Sequence, residues 1–199
     1  MEIGHRNWRS SETGLEREAR DRRIEVGERH DASLCFRPDS HATALRVLKL
    51  ILDTNIVLDW LVYRDEGVAG LQPAVDRNLV EIITHAPAID ELRRVLAYPR
   101  FKLTTREQQD TLERYTAQTR LVTLPADATD ERLPPGFPRC RDRDDQHFLV
   151  LAHHERDAAL VSKDVDLLTL TRRARKFGIT VLDLRQLTSI LQSLDSQVD

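Results

Sequence analysis

A short run of residues, Lys-Leu-Ile-Leu at 49–52, stops at the carboxylate of Asp53 and is followed by Thr-Asn and a second apolar run. Four or five such residues that end at a turn are typical of a buried strand in a parallel sheet. We therefore expect Asp53 at the carboxyl end of a central strand, the edge where open parallel sheets bind ligands. Asp, Thr and Asn are also common helix N-caps, so the pattern alone leaves a capping role open.

The same kind of pattern recurs along the chain, with apolar runs alternating with segments of helical periodicity. This alternation predicts an α/β domain with a parallel sheet of about five strands and helices on both faces. Strands are predicted at 49–52, 80–84, 121–124, 158–162 and 179–182, with helices at 57–62, from 71, from 87, at 105–119, from 145 and at 184–194.

Three further acidic residues are predicted at the edge where Asp53 lies. Asp164 follows the fourth strand, Glu91 borders the apolar stripe of a helix that begins near Pro87, and Asp145 opens another helix. Four carboxylates at one sheet edge repel one another unless cations lie between them. An all-oxygen set favours Mg²⁺ or Mn²⁺, although the helix dipole alone would also explain one acid at a helix start.

The third acid of this set is ambiguous, because residues 142, 144 and 145 are all aspartate. We assign the ligand to Asp145, which begins the apolar stripe of its helix, and the capping role to Asp142. Nearby histidines at 147, 153 and 154 are expected to be solvated or to support the ligands rather than to bind metal.

Composition limits the remaining possibilities. The net charge of −3 lacks the basic footprint usual for a nucleic-acid binder. Residues 1–30 contain no apolar segment of a secretory signal, and two cysteines suit a reducing cytosol, so we expect a cytoplasmic protein.

Residues 1–46 are highly charged and are predicted to be a disordered or weakly helical extension. Translation from Val47 is a hypothesis, and residues 47–199 form the predicted domain.

Four sequence segments in this order resemble the PIN-domain family, of the kind found as toxins of bacterial toxin–antitoxin pairs. They are Leu-Asp-Thr-Asn-Ile at 52–56, Asp-Glu-Leu at 90–92 with Tyr-Pro-Arg-Phe at 98–101, Arg-Asp-Arg-Asp-Asp at 141–145, and Leu-Val-Ser-Lys-Asp-Val-Asp-Leu-Leu at 160–168. Lys163 is a departure, since relatives often have a small residue there, and a cation between two ligand loops could alter metal occupancy.

The resemblance implies a metal-dependent endoribonuclease with Mg²⁺ or Mn²⁺, a cognate antitoxin that places a basic segment against the site, and a homodimer. It also implies the roles of individual residues. The acidic quartet would be Asp53, Glu91, Asp145 and Asp164, supported by Asn55, Ser162, Asp166 and Asp142, with Asp166 as an alternative to Asp164 for the principal ligand.

Basic residues must flank such a site if it is to hold RNA, although they could equally form solvated helix faces. The candidates are Arg93, Arg94, Arg100 and Lys102 on one side and Arg172, Arg173, Arg175 and Lys176 on the other. Two rival functions remain open. A haloacid-dehalogenase-type phosphatase needs a second Asp where Asn55 stands, and a noncatalytic binding module would use the acids only as caps.

Overall fold

The computed structural model of the protein describes residues 47–125 and 132–196. Within them, five parallel strands form one sheet in the order β3-β2-β1-β4-β5. The strands are β1 Leu48–Leu52, β2 Val80–His85, β3 Thr119–Val122, β4 Ala158–Val161 and β5 Thr180–Leu182. This architecture confirms the predicted α/β fold, while the extension expected at 1–46 lies outside the described residues.

Helices cover both faces of the sheet, so the central strand is buried on both sides. Leu50 and Leu52 belong to one core cluster and Ile51 to the other, as expected when successive side chains alternate across a strand. The helices are α1 Thr54–Leu58, α2 Leu71–Asp76, α3 Ala86–Leu96, α4 Thr105–Ala117, α5 Gln146–His154, α6 Val165–Thr169, α7 Thr171–Ala174 and α8 Leu184–Asp195. Among the described residues, no helix is long and apolar enough to cross a membrane.

The strand order places the carboxyl ends of β1 and β4 side by side. Leu52 pairs with Val161, and the backbone N–H of Asp53 donates to the Val161 carbonyl at 3.0 Å. From β1 the chain proceeds outward through β2 to β3 and then crosses to β4 on the other side of β1. This is a topological switch point, where open parallel sheets form a crevice.

Two element boundaries differ from the prediction. The helix expected at 57–62 is split, because α1 ends at Leu58 and a π-helical turn, Asp59–Tyr63, follows it. The third strand, predicted at 121–124, begins two residues earlier at Thr119. It is an edge strand with two exposed central residues, and Arg120 pairs with Glu81 and Glu155, so β3 has no apolar run to mark it.

Candidate active site

The side chain of Asp53 is almost completely buried, with 1% of its surface exposed. Both of its carboxylate oxygens accept hydrogen bonds, Oδ1 from the backbone N–H of Asn55 at 3.2 Å and Oδ2 from the Ser162 hydroxyl at 2.6 Å. Asp53 therefore caps α1 and is also fixed to the end of β4. The capping role and a ligand role are compatible, because each carboxylate oxygen has two lone pairs.

Ser162 joins the two neighbouring strand ends. Its hydroxyl donates to Asp53 and accepts from the backbone N–H of Asp164 at 2.9 Å. Asp164 in turn caps α6 by accepting from the backbone N–H of Asp166 at 2.7 Å. One fully buried hydroxyl thus sets the position of the Asp53 carboxylate relative to the loop that carries Asp164.

Glu91 is held by a chain of two histidines. Nε2 of His147, on α5, lies 2.9 Å from the Glu91 carboxylate, and Nδ1 of His147 lies 2.9 Å from Nε2 of His85 at the end of β2. A carboxylate only accepts, so His147 donates to Glu91 through Nε2 and, when neutral, accepts from His85. Burial, followed by repulsion from His147, lowers the pKa of His85 to about 4, so His85 is neutral at physiological pH.

Asp145 occupies the N-cap position of α5, but its side chain makes no capping hydrogen bond. The loop before it is fixed by buried Gln146, whose Oε1 accepts from the Cys140 backbone N–H at 2.7 Å and whose Nε2 donates to the Pro138 carbonyl at 3.2 Å. The Asp145 carboxylate is therefore positioned by its neighbours and available to a ligand. Asp142 does not cap the helix, contrary to expectation, since it accepts from the Asp144 backbone N–H in the preceding turn.

The four predicted acidic residues lie close together, since the charges of Glu91 and Asp164 act on both Asp53 and Asp145. Burial raises the pKa of Asp145 to about 7, and the charges of Asp53, Glu91, Asp142 and Asp164 contribute to the rise. Burial also raises the pKa of Asp53, with smaller contributions from the charges of Glu91 and Asp164, against the lowering effect of its bonds to Ser162 and Asn55. A cluster of carboxylates that resists full ionisation is a site where bound cations lower the electrostatic energy.

Although the four carboxylates are neighbours, their side chains do not converge on one point where an ion could bind. Across residues 47–125 and 132–196, no group of three His, Cys, Asp or Glu side chains is arranged so that it could hold a metal ion. Burial raises the pKa of the nearby Cys140 thiol to about 11, so this group is protonated at neutral pH in the metal-free chain.

Lys163 does not act as a cation between the ligand loops, as its place in the sequence led us to consider. Its Nζ donates to both carboxylate oxygens of Asp59, at 2.7 and 2.6 Å. Asp59 is 4% exposed and belongs to the π-helical turn after α1. The pair ties the loop between Ser162 and Asp164 to that turn.

The predicted substrate-binding arginines have different surroundings. Arg93 pairs with Asp90, and Arg94 pairs with Asp144 at 3.1 Å, linking α3 to the loop before Asp145. Arg100 lies over the rings of Tyr98 and Phe101, and Arg172 and Arg173 are exposed on α7.

Among the histidines considered in the sequence analysis, His153 donates through Nδ1 to the Phe177 carbonyl at 3.1 Å and has a structural role.

Sequence reasoning missed His85, Asp59 and Gln146. His85 is the last residue of β2, in the position that corresponds to Asp53 after β1, and this could have marked it. Gln146 follows the aspartates directly, but nothing in the sequence indicates that it turns back to the Cys140 backbone. Asp59 could not be paired with Lys163 before the strand order was known, since 104 positions separate them.

Comparison with known proteins agrees with this geometry. The family model of the PIN domain matches residues 49–166, which span more than half of the chain and all four carboxylates. No curated protein and no solved structure is similar enough to count as a match. The chain, with its acidic cluster at the switch point of a parallel sheet, belongs to the PIN-domain family, whose members are in general nucleases.

Proposed function

We propose that the protein is a metal-dependent endoribonuclease and the toxin of a toxin–antitoxin pair, and that its functional domain is residues 47–199. The observation that carries the proposal is the approach of Asp53, Glu91 and Asp164 to Asp145, where burial and then the charges of the neighbouring carboxylates raise the pKa of Asp145 to about 7. The side chain of Asp145 also makes no capping hydrogen bond, so capping does not account for a carboxylate at the start of α5.

The donor set fits a hard divalent ion such as Mg²⁺ or Mn²⁺, which PIN domains typically use. All four candidate ligands are carboxylates, and Asp145 has no capping bond to give up. No three donors enclose a point in the described residues, so we expect side-chain adjustment on binding. When bound, the ion would supply Lewis acidity that activates water and neutralises charge on a phosphodiester.

The chain's own residues prepare the site for this chemistry. The Ser162 hydroxyl and the Asn55 N–H orient the Asp53 carboxylate, and Ser162 lowers its pKa. His147 orients Glu91 through Nε2. Ionised Asp145 would complete the ligand set above its pKa of about 7, and the candidate cations Arg93, Arg100, Arg172 and Arg173 would hold the RNA backbone.

The direct test is cleavage of single-stranded RNA by purified protein with Mn²⁺ or Mg²⁺. We expect products with 5′-phosphate and 3′-hydroxyl ends, loss of cleavage in EDTA and recovery when metal is restored. Hydrolysis of phosphate monoesters without cleavage of RNA would instead support a phosphatase. RNA binding that leaves the strand intact with either metal would support a noncatalytic module.

The toxin assignment needs a separate test, because a nuclease of this family need not be a toxin. We expect a small antitoxin, encoded nearby, to co-purify with the protein from its native host and to suppress RNA cleavage through a basic segment against the carboxylates. Recovery of free, fully active protein from the host would contradict this assignment. Sedimentation of the purified chain would test the homodimer that the resemblance implies.

A further inference from the structure

A second concave region lies beside the carboxylate cluster. It is a cleft of about 270 Å³, lined by Asn55, Leu58, Asp59, Tyr63, Arg100, Phe101 and Lys163, and we refer to it as the aromatic cleft. None of the four carboxylates lines it. Asn55, however, donates its backbone N–H to Asp53, and Lys163 directly precedes Asp164 in the chain, so the cleft adjoins the proposed catalytic centre.

Exposed aromatic rings distinguish this region. The side chain of Tyr63 is 59% exposed, and its ring centroid lies 6.1 Å from that of Phe101 at an interplanar angle of 53°. Tyr98, which follows α3, is 39% exposed, whereas the third tyrosine, Tyr115, is 1% exposed in the core. Aromatic faces left open to solvent beside a polar site are characteristic stacking surfaces for nucleic-acid bases.

The charge of the cleft also suits a nucleotide. The Arg100 guanidinium lies over both neighbouring rings, 4.7 Å from the Phe101 ring centroid and 5.4 Å from that of Tyr98. The charge of Lys163 is balanced by Asp59 within the cleft. Arg100 therefore gives the lining one net positive charge, next to a cluster whose carboxylates repel phosphate.

We propose that the aromatic cleft binds one unpaired base of the RNA, which stacks on the exposed ring of Tyr63, while Arg100, held over the Phe101 ring, contacts the adjoining phosphate. This subsite rests on the proposed function and narrows its substrate to single-stranded segments, because a paired base cannot leave its neighbours to enter the cleft. Stacking of this kind tolerates any base, so the subsite positions the strand beside the carboxylates without reading its sequence.

The test uses oligoribonucleotides that carry 2-aminopurine, whose fluorescence is quenched when it stacks, in metal-free buffer at low salt. Wild-type protein should quench the probe at one position and bind an abasic version of the strand more weakly. Tyr63→Ala should weaken binding about 5- to 140-fold and remove the quenching. Tyr63→Phe keeps the ring and should retain both, and Leu121→Ala, at a side chain equally exposed on β3, should change neither.

The outcomes separate the subsite from the nuclease proposal. Quenching that depends on Tyr63, in a protein that cuts no RNA with Mn²⁺, would support the subsite and overturn the nuclease. Cleavage of RNA with unchanged binding by Tyr63→Ala would overturn the subsite and leave the nuclease. Equal affinity for duplex and single strand, or a need for Tyr63 in binding a protein partner but not RNA, would also overturn the subsite.

Discussion

The hydroxyl of Ser162 donates to the buried carboxylate of Asp53 at 2.6 Å, across the boundary between two strands that lie 109 residues apart in the chain. The same hydroxyl accepts from the backbone N–H of Asp164. One small side chain at the switch point thereby fixes the Asp53 carboxylate and the backbone of Asp164. Substitutions of Ser162 should consequently affect ionisation as well as stability.

Ser162→Ala should raise the pKa of Asp53 further, because its hydroxyl is the strongest of the groups that lower this pKa. We expect the acid limb of the RNA-cleavage profile to move to higher pH. The free energy of unfolding should fall by ~1.5–3 kcal/mol, as for hydrogen bonds to charged groups. Ser193→Ala, which removes an exposed hydroxyl on α8, is the control. An unshifted acid limb would contradict the role of Ser162.

In the metal-free protein, the Asp145 carboxyl should contribute stability that is lost as pH rises from about 4 to about 7, whereas His85, with its pKa lowered to about 4, contributes in the opposite direction. The pKa of Asp145 is about 7 in the folded chain, against the 3.8 that is usual for a solvent-exposed aspartate, so the folded state holds the proton longer. The contribution of Asp145 to stability is therefore fully present below pH 3.8 and is lost as pH rises through about 7. Asp145→Asn should remove this part of the pH dependence and raise the melting temperature by a few degrees at pH 8.

Thermal melts in EDTA across this pH range would measure the effect. Asp157→Asn, at an exposed side chain that precedes β4 and so lies at the opposite end of that strand from Asp164, serves as the control and should leave the slope unchanged. A lower melting temperature of Asp145→Asn at pH 8 would indicate that Asp145 is a structural cap.

His147→Ala should release Glu91 and weaken metal binding. Groups that orient a ligand typically account for a 10- to 100-fold change in metal affinity or activity. Titration of Mn²⁺, followed by the rise in melting temperature, would measure this loss. His154→Ala, at an exposed position on the same helix, should behave like the wild type. Equal Mn²⁺ affinity in both variants would contradict the role of His147 in orienting Glu91.

Lys163→Met should destabilise the fold, because it leaves the buried Asp59 carboxylate without the cation that donates to both of its oxygens. We expect a loss of ~1.5–3 kcal/mol, moderated because the lysine is partly exposed. Asp59→Asn combined with Lys163→Met should recover part of this loss, which a double-mutant cycle in urea would measure. Full additivity of the two substitutions would contradict the pairing.

The strands of the sheet were predictable because they follow from local signals, whereas their order, β3-β2-β1-β4-β5, was not predicted. Continuous apolar runs at β1 and β4 reflect burial on both faces, and the acids after them reflect the ends of parallel strands. β3 was misplaced because an edge strand with Thr119 and Arg120 needs no such run. The π-helical turn was missed because the pairing of Asp59 with Lys163, which lies outside that turn, depends on tertiary structure.

In the candidate site, too, some residues could be identified from the sequence, whereas the contacts between them could not. Asp53, Asp145 and Asp164 could be chosen by their places at strand ends and helix starts, and Glu91 by its place beside the apolar stripe of α3. The contacts that orient them could not be predicted, because the hydrophobic pattern does not show which residues come together. Examples are the contact of His85 with His147 and that of Gln146 with the Cys140 backbone. Asp142 was assigned to the wrong cap because three neighbouring aspartates are chemically equivalent in the sequence, and only the backbone distinguishes them.

The most direct test of the account is RNA cleavage by Asp53→Asn and Asp145→Asn, assayed with Mn²⁺ beside the wild type and the Asp157→Asn control. Each substitution at the cluster keeps the side chain's size and removes one ligand charge. The account predicts that both variants remain folded and lose cleavage by orders of magnitude, while Asp157→Asn cleaves like the wild type. Retained cleavage in both Asp53→Asn and Asp145→Asn would contradict a mechanism based on the four carboxylates.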